Sequence, residues 1–298
     1  MKEYLKNPTG IIVLIAIILG FLMPNYGIVI KPYLTYLLMI LMFFSFLGVN
    51  VLDIPHTSSQ VLEGLGVLAI IHIASPLILF LFKSQFESHV FLGLLLASSV
   101  SSGISVVVLS KMLGGDQLKA LGITVISNVV APIILPVVLG LFAGRTIQVD
   151  YFMIGITIFK VVIIPLFFAS LFNRSVIKNN LKKISHSLSL GVLFLLIFGS
   201  IASIQSDITK DTSMALYIGL IVCMLVGINF LLGYALGSDK VEKITYGVTA
   251  SYKNYTLSTV LAVSLFGSAV ALPSVIYIVV TNLMLVPVQY LSNNKRDG

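Results

Sequence analysis

The sequence predicts an all-α membrane protein of ten transmembrane helices, arranged as a 5+5 inverted repeat in which spans 4 and 9 are broken and pair at the midplane. Three observations lead there. The chain of 298 residues is 58% hydrophobic and only 10% charged, whereas a soluble globular domain carries about 25% charged residues. Apolar runs such as "IIVLIAIILGFLM", "LTYLLMILMFFSFLGV" and "LYIGLIVCMLVGINFLLGYAL" have the roughly 20-residue length of a membrane-crossing helix. They lack the ten-residue alternation of a membrane β-barrel. Finally, polar clusters interrupt two spans at corresponding points of the two halves of the chain.

The spans fall at about 9–23, 30–50, 63–83, 89–112, 118–143, 151–172, 185–204, 213–237, 244–266 and 270–292. The first follows Lys2 and Lys6, as a signal peptide would, but no small-x-small cleavage site follows in "GFLMPNYG", so it reads as a retained helix. No loop is long enough to fold as a soluble domain. The single cysteine, Cys223, lies in an apolar run, which excludes disulfides and a cysteine-based metal site.

With both termini cytoplasmic, twelve Lys and Arg residues fall in the inner loops: Lys2, Lys6, Lys111, Lys119, Arg174, Lys178, Lys182, Lys183, Lys240, Lys243, Lys295 and Arg296. Only Lys31, Lys83, Arg145 and Lys210 fall outside. That asymmetry orients the chain in the cytoplasmic (plasma) membrane, so the net charge of +7 reflects topology. The basic run "NRSVIKNNLKKISH" reads as an inner loop between spans, not as a nucleic-acid site.

The interruptions carry the symmetry. Span four contains "ASSVSSGISVVV", with Ser and Gly clustered from Ser98 to Ser105, and span nine contains "TASYKNYT", from Thr249 to Thr256. The clusters start 151 residues apart, close to half the chain. Each sits in the fourth span of a five-span unit, which divides the chain into 1–146 and 147–298. Because five is odd, the second unit is inverted relative to the first. Paired interrupted helices at the midplane are the binding-site signature of secondary transporters. Small residues also cluster where helices pack closely, so packing remains an alternative for span four. Lys253 and Asn254 do nothing for close packing.

The acids are all at the edges: Glu3, Asp53, Glu63, Glu87, Asp116, Asp150, Asp207, Asp211, Asp239, Glu242 and Asp297 lie in loops or at span ends. That argues against proton relays or sodium sites built on a buried carboxylate. It also argues against an intramembrane protease, and no HExxH or P-loop exists. The interior titratable groups are Lys160, His72 and Lys253. Lys160 is near a span end and can snorkel, and the His72 ring could bond a carbonyl freed by Pro76 four residues on. Lys253 sits near mid-span, where a cation costs roughly 2.5–3.5 kcal/mol on insertion scales.

These residues resemble the bile acid:sodium symporter family. The stretch "SSGISVVVLSKMLGGDQLKALGITVISNVVAPIILPVVLGLFAG" is similar to its fourth and fifth spans, "ASYKNYTLSTVLAVSLFGSAVALPSVIYIVVTNLMLVPV" to its ninth and tenth, and "ILMFFSFLGVNV" to its second. The resemblance implies a panel domain from spans 1, 2, 6 and 7, a core domain from spans 3–5 and 8–10, and broken helices four and nine that cross in the core, facing an organic anion. Carried over by position, Asn254 and Asn282, with Thr281 beside it, match substrate-contacting residues, and Thr124 matches a hydroxyl of a sodium site. Ser102, Gly103 and Ser105 complete the expected substrate-binding set. The chain also departs from the family. The family's Pro-Gly-Gly is reduced to Ser101, Ser102 and Gly103, and its Ser-Asn sodium ligands are Val106 and Val107. Thr249 replaces a sodium-coordinating glutamate, and Lys253 replaces a glutamine.

The expected function is therefore secondary transport of a small organic anion, with sodium coupling weakened or replaced by the Lys253 ammonium and with Thr249, Thr124 and His72 in or near the former ion site. Proton coupling through Lys253 stays open. No catalytic residue and no cofactor are expected, and a residual sodium site is the one metal left open. The expected partners are the anion and the lipid bilayer, with no nucleic acid, and a monomer is the simplest state. A sensor or scaffold with a decayed site is the alternative from another class. Arsenite efflux ranks below it, because the related arsenite family uses a cysteine in its fourth span and Cys223 lies in the eighth.

Overall fold

A computed structural model describes residues 8–47, 58–143, 150–173 and 178–294, and every regular element among them is helical. In chain order these are α1 (Pro8–Leu22), α2 (Pro24–Gly27), α3 (Leu34–Phe46), α4 (Ser58–Ala69), α5 (Ser75–Leu81), α6 (Ser88–Ser99), α7 (Ser105–Leu113) and α8 (Gln117–Phe142). The second half holds α9 (Tyr151–Ile158), α10 (Ile164–Asn173), α11 (Lys178–Lys210), α12 (Thr212–Leu236), α13 (Lys240–Ser251), α14 (Tyr255–Leu265) and α15 (Ser268–Asn294). The 146/147 boundary lies outside the described residues, as do Lys2, Lys6, Arg145, Arg174, Lys295 and Arg296.

Six helical stretches are long and apolar enough to cross a membrane: Pro24–Phe46, Leu62–Leu81, Gln117–Phe142, Tyr151–Asn173, Ile184–Lys210 and Thr212–Leu236. Four shorter apolar helices accompany them, Thr9–Leu22, Ser88–Ser99, Tyr255–Leu265 and Ser268–Met284. The protein is a multi-pass membrane protein. Of the short helices, Ser88–Ser99 ends in one of the two polar clusters and Tyr255–Leu265 begins in the other.

The edge acids have a local role. Asp116, Asp150, Asp211 and Asp239 cap the starts of α8, α9, α12 and α13, each accepting backbone N–H groups of the first turn. A carboxylate there satisfies donors that no carbonyl reaches and complements the positive helix end. The apolar faces are equally ordered. On α8, Ile126, Val129, Ile133, Val137 and Leu141 are exposed at helical spacing, while Ile123, Ala131, Leu135 and Leu139 are buried. Such a stripe is stable against lipid. By contrast, α6 is buried on every side from Val90 to Ser99, and α14 from Leu257 to Val263, so the broken spans run through the centre of the bundle. There α6 meets α15 so closely that a Cβ on Gly93 would lie 2.2 Å from the Val270 carbonyl oxygen.

Spans three and six each contain a π turn, Ile70–Ala74 and Phe159–Ile163, followed by Pro76 and Pro165. Lys160 lies in the second of these turns and is exposed.

Candidate functional site

Helix α6 ends where Val100 turns extended (φ −65°, ψ 153°), and α13 ends where Tyr252 does the same (φ −95°, ψ 104°). The two extended segments lie antiparallel, with Ser102 opposite Lys253. Gly103 N–H donates to the Tyr252 carbonyl at 3.2 Å, and Asn254 N–H donates to the Ser101 carbonyl at 2.7 Å. Polar groups freed by one break are thus satisfied by the other, as a membrane interior requires. Gly103 permits the approach: a Cβ there would sit 3.0 Å from the Lys253 carbonyl oxygen.

The carbonyls at the end of α6 lack helical donors, and two basic side chains supply them. Lys253 Nζ donates to the Ser98 carbonyl, and His72 Nδ1 donates to the Ser99 carbonyl at 2.8 Å. Lys253 Nζ also donates to the Ile71 carbonyl at 3.0 Å. That oxygen is available for a backbone reason. Ser75 N–H reaches back to Ile70 in the π turn, and Pro76, next in line, has no N–H to give. A cation at a helix C-terminus opposes the negative end of its dipole. The proline does free a carbonyl for a side chain, but the lysine takes it, while the His72 ring reaches across to α6.

With Nδ1 donating, neutral His72 accepts at Nε2. Its partner is the Ser127 hydroxyl at 3.1 Å, whose oxygen in turn accepts Ser102 N–H at 3.2 Å. Asn128 closes the network. Its Nδ2 donates to the carbonyls of Ser102 (3.1 Å) and Thr124 (2.8 Å), and its Oδ1 accepts the Ser101 hydroxyl at 2.9 Å. Thr124 Oγ1 lies 3.5 Å from Ser102 Oγ, which donates to the Thr249 carbonyl at 3.1 Å. Thr249 turns its own hydroxyl to the Thr245 carbonyl at 2.6 Å. Ser102, Thr124, Thr249 and His72 therefore share one buried network, and Val106 and Val107 are buried without adding an oxygen to it.

A cavity of about 650 Å³ opens beside the crossing. Gly103, Ser105, Lys253, Asn254, Thr281 and Asn282 line it. The other four candidate residues do not. Asn254 caps α14 by accepting Leu257 N–H at 3.1 Å, and its Nδ2 approaches Met42 Sδ at 3.6 Å. Asn282 Nδ2 and Thr281 Oγ1 donate to the preceding turn of α15, to Ile278 at 2.7 Å and Tyr277 at 2.6 Å. The Lys253 ammonium is bound to carbonyls outside the cavity lining. No carboxylate lines the cavity among the described residues, and Cys223 does not reach it; its side chain is exposed elsewhere.

Sequence reasoning missed Ser127 and above all Asn128, a fully buried amide in the middle of an apolar span. The signal was the one that singled out Asn254: an amide with no packing use at membrane depth. It also missed His186 on the cavity wall.

A second polar group sits where α4, α8 and α13 approach one another. Lys119 pairs with Glu242 and lies 3.8 Å from Glu63, which accepts the Tyr246 hydroxyl. Glu242 precedes the ninth span, and the Lys119 ammonium, followed by Ser238 N–H, holds its carboxyl below the usual value. Among the described residues no group of three or more His, Cys, Asp and Glu gathers as a metal site.

Residues 8–290 match the sequence model of the SBF-like CPA transporter family. Two Bacillus subtilis (strain 168) proteins are similar along their length. One, named uncharacterized sodium-dependent transporter YocS, is 26% identical over 294 residues, covering 95% of this chain and 90% of that protein. The other, named uncharacterized protein YbaS, is 25% identical over 259 residues, covering 83% and 84%.

Proposed function

Because the chain belongs to the SBF-like CPA transporter family, we propose that this transporter carries a small organic anion by alternating access and uses the Lys253 ammonium where relatives use a sodium ion. One observation carries the reading. A buried cation stands at the junction of two broken helices and is held by the carbonyls of Ser98 and Ile71, so the charge that steadies the helix end belongs to the protein. The adjoining cavity offers Ser105, Asn254, Thr281 and Asn282 and no acid among the described residues, which suits an anion.

In this reading the ten apolar helices form a 5+5 inverted repeat, 1–146 and 147–298. Helices α1, α3, α10 and α11, which pack on one another, belong to the panel, and the crossing belongs to the core. Both termini are cytoplasmic and the protein works in the plasma membrane. A merely decayed site is disfavoured, because a network in which His72, Asn128 and Lys253 all find partners is costly to keep in lipid.

The test is thermal melting of the purified full-length protein with acetate, octanoate or cholate, each in sodium chloride and in choline chloride. A ligand at a hundred times its Kd adds about 2.7 kcal/mol, a resolvable shift. At least one anion should raise the melting temperature equally in both salts. Stabilisation by sodium alone, with none of the anions effective, would overturn the reading.

A further inference from the structure

The cavity is layered, and the layers follow from helix register. Gly20 of α1 packs against Ile201 of α11, and Gly199 of α11 against Leu34 of α3. Counting along the helices from these contacts sets Thr9, Ser45, His186 and Ser189 at one level, all on the cavity wall. The next level is apolar: Val13 on α1, Met42 on α3, and Leu193 and Ile197 on α11. Beyond it lies the crossing, with Ser105, Lys253 and Asn254. The cavity therefore has a polar rung, an apolar waist and a polar floor.

The two basic residues on its wall, Lys253 and His186, stand at opposite ends, with no acid to answer either one among the described residues. Lys253 spends its hydrogen bonds on Ile71 and Ser98, which do not line the cavity, so its ammonium lies behind the floor and acts on the cavity through space alone. His186 is exposed at the rung, where its ring can donate an N–H in either charge state. A monoanion would answer only one of them.

We infer that the substrate is an elongated dianion, an α,ω-dicarboxylate with an apolar chain, and that His186 reads its second carboxylate. The inference rests on the anion-transport reading above and narrows its substrate class. One carboxylate sits at the floor against Ser105 and Asn254, in the field of Lys253. The chain lies in the waist, and the far carboxylate accepts from His186. Ser105 and Met112, both on the cavity wall, are seven residues apart on α7, about 10 Å at 1.5 Å per residue, which an eight-carbon chain spans.

Suberate and octanoate make the decisive pair, since they share a carbon count and differ in one carboxylate. Isothermal titration of the purified full-length protein should show suberate binding about tenfold tighter, equivalent to about 1.4 kcal/mol. His186→Leu should bring the ratio close to one by weakening suberate, and His186→Gln, which keeps a donor, should restore part of it. Because His186 is exposed, neither change threatens the fold. Equal binding of the two probes by the unaltered protein, or a ratio that survives in His186→Leu, overturns this inference alone. If neither probe binds and the wider anion panel fails as well, the anion-transport reading falls and takes this one with it.

Discussion

Asn128→Leu tests the crossing at the residue that binds most of it together. The leucine keeps the branched outline of four side-chain heavy atoms and fits the helix, so the change removes the hydrogen bonds while its bulkier methyls add a smaller overpacking cost. Three are lost, those to Ser101 Oγ, Ser102 O and Thr124 O. They do not count equally. The Thr124 carbonyl lies inside α8 and keeps its backbone donor four residues on. The Ser101 hydroxyl and the Ser102 carbonyl are fully buried and lose a partner outright. A buried polar group left unpaired costs about 1–3 kcal/mol, so two give about 2–6 kcal/mol. Side-chain hydrogen bonds within membranes average about 0.6 kcal/mol, which favours the lower end of that range. Reversible unfolding in mixed detergent micelles, with Thr157→Val as a lipid-facing control that loses one bond to the preceding turn, measures the difference. A loss of under about 0.5 kcal/mol, no larger than the control, would refute the claim that the break depends on side-chain hydrogen bonds.

Three further outcomes are expected. Gly103→Ala places a methyl 3.0 Å from the Lys253 carbonyl oxygen and should cost about 1–3 kcal/mol by overpacking, whereas Gly191→Ala, with nothing within 4 Å, should be neutral or slightly stabilising in the same melt. Lys253→Met removes the donor shared by Ile71 and Ser98, so proteoliposome uptake of an anion found to stabilise the protein should fall at least tenfold; uptake at the original rate would contradict the tethered-cation role. Glu242 has a lowered pKa, so its pairing stabilises the fold above the ordinary value of 4.5 and is lost as pH falls through the lowered one. Glu242→Gln should therefore flatten the decline of melting temperature on the acid side of pH 4.5, and an unchanged decline would show that the pair adds nothing.

What could be read in the sequence was whatever carries an energetic penalty in lipid. Lys253 and Asn254 stood out because nothing about close packing explains them, and the Ser98–Ser105 cluster because it matched them at half the chain length. The breaks at Val100 and Tyr252 fall inside those clusters. Partners were not legible, because they depend on geometry that spacing does not encode. Neither the ammonium's choice of Ile71 nor the imidazole's choice of Ser99 follows from any local pattern; both depend on how spans three and four sit against span nine. Asn128 carried a readable signal but stood among apolar residues without a cluster to frame it. His186 lies in a basic segment whose charges have a sufficient explanation in membrane orientation, and that explanation masked its place on the cavity wall.

Pro76 has a reach that its position in the chain conceals. By withholding one N–H it leaves the Ile71 oxygen open to a side chain from the opposite half of the molecule, so an imperfection in one helix becomes the socket for a charge carried by another. The two positions are then tied in heredity as well as in energy. Restoring the missing N–H with a Pro76→Ala change would set a backbone donor in competition with the lysine, and replacing the lysine would strand an oxygen that only the proline leaves without a backbone donor. Each residue sets what the other can tolerate, so viable variants are expected to change both or neither.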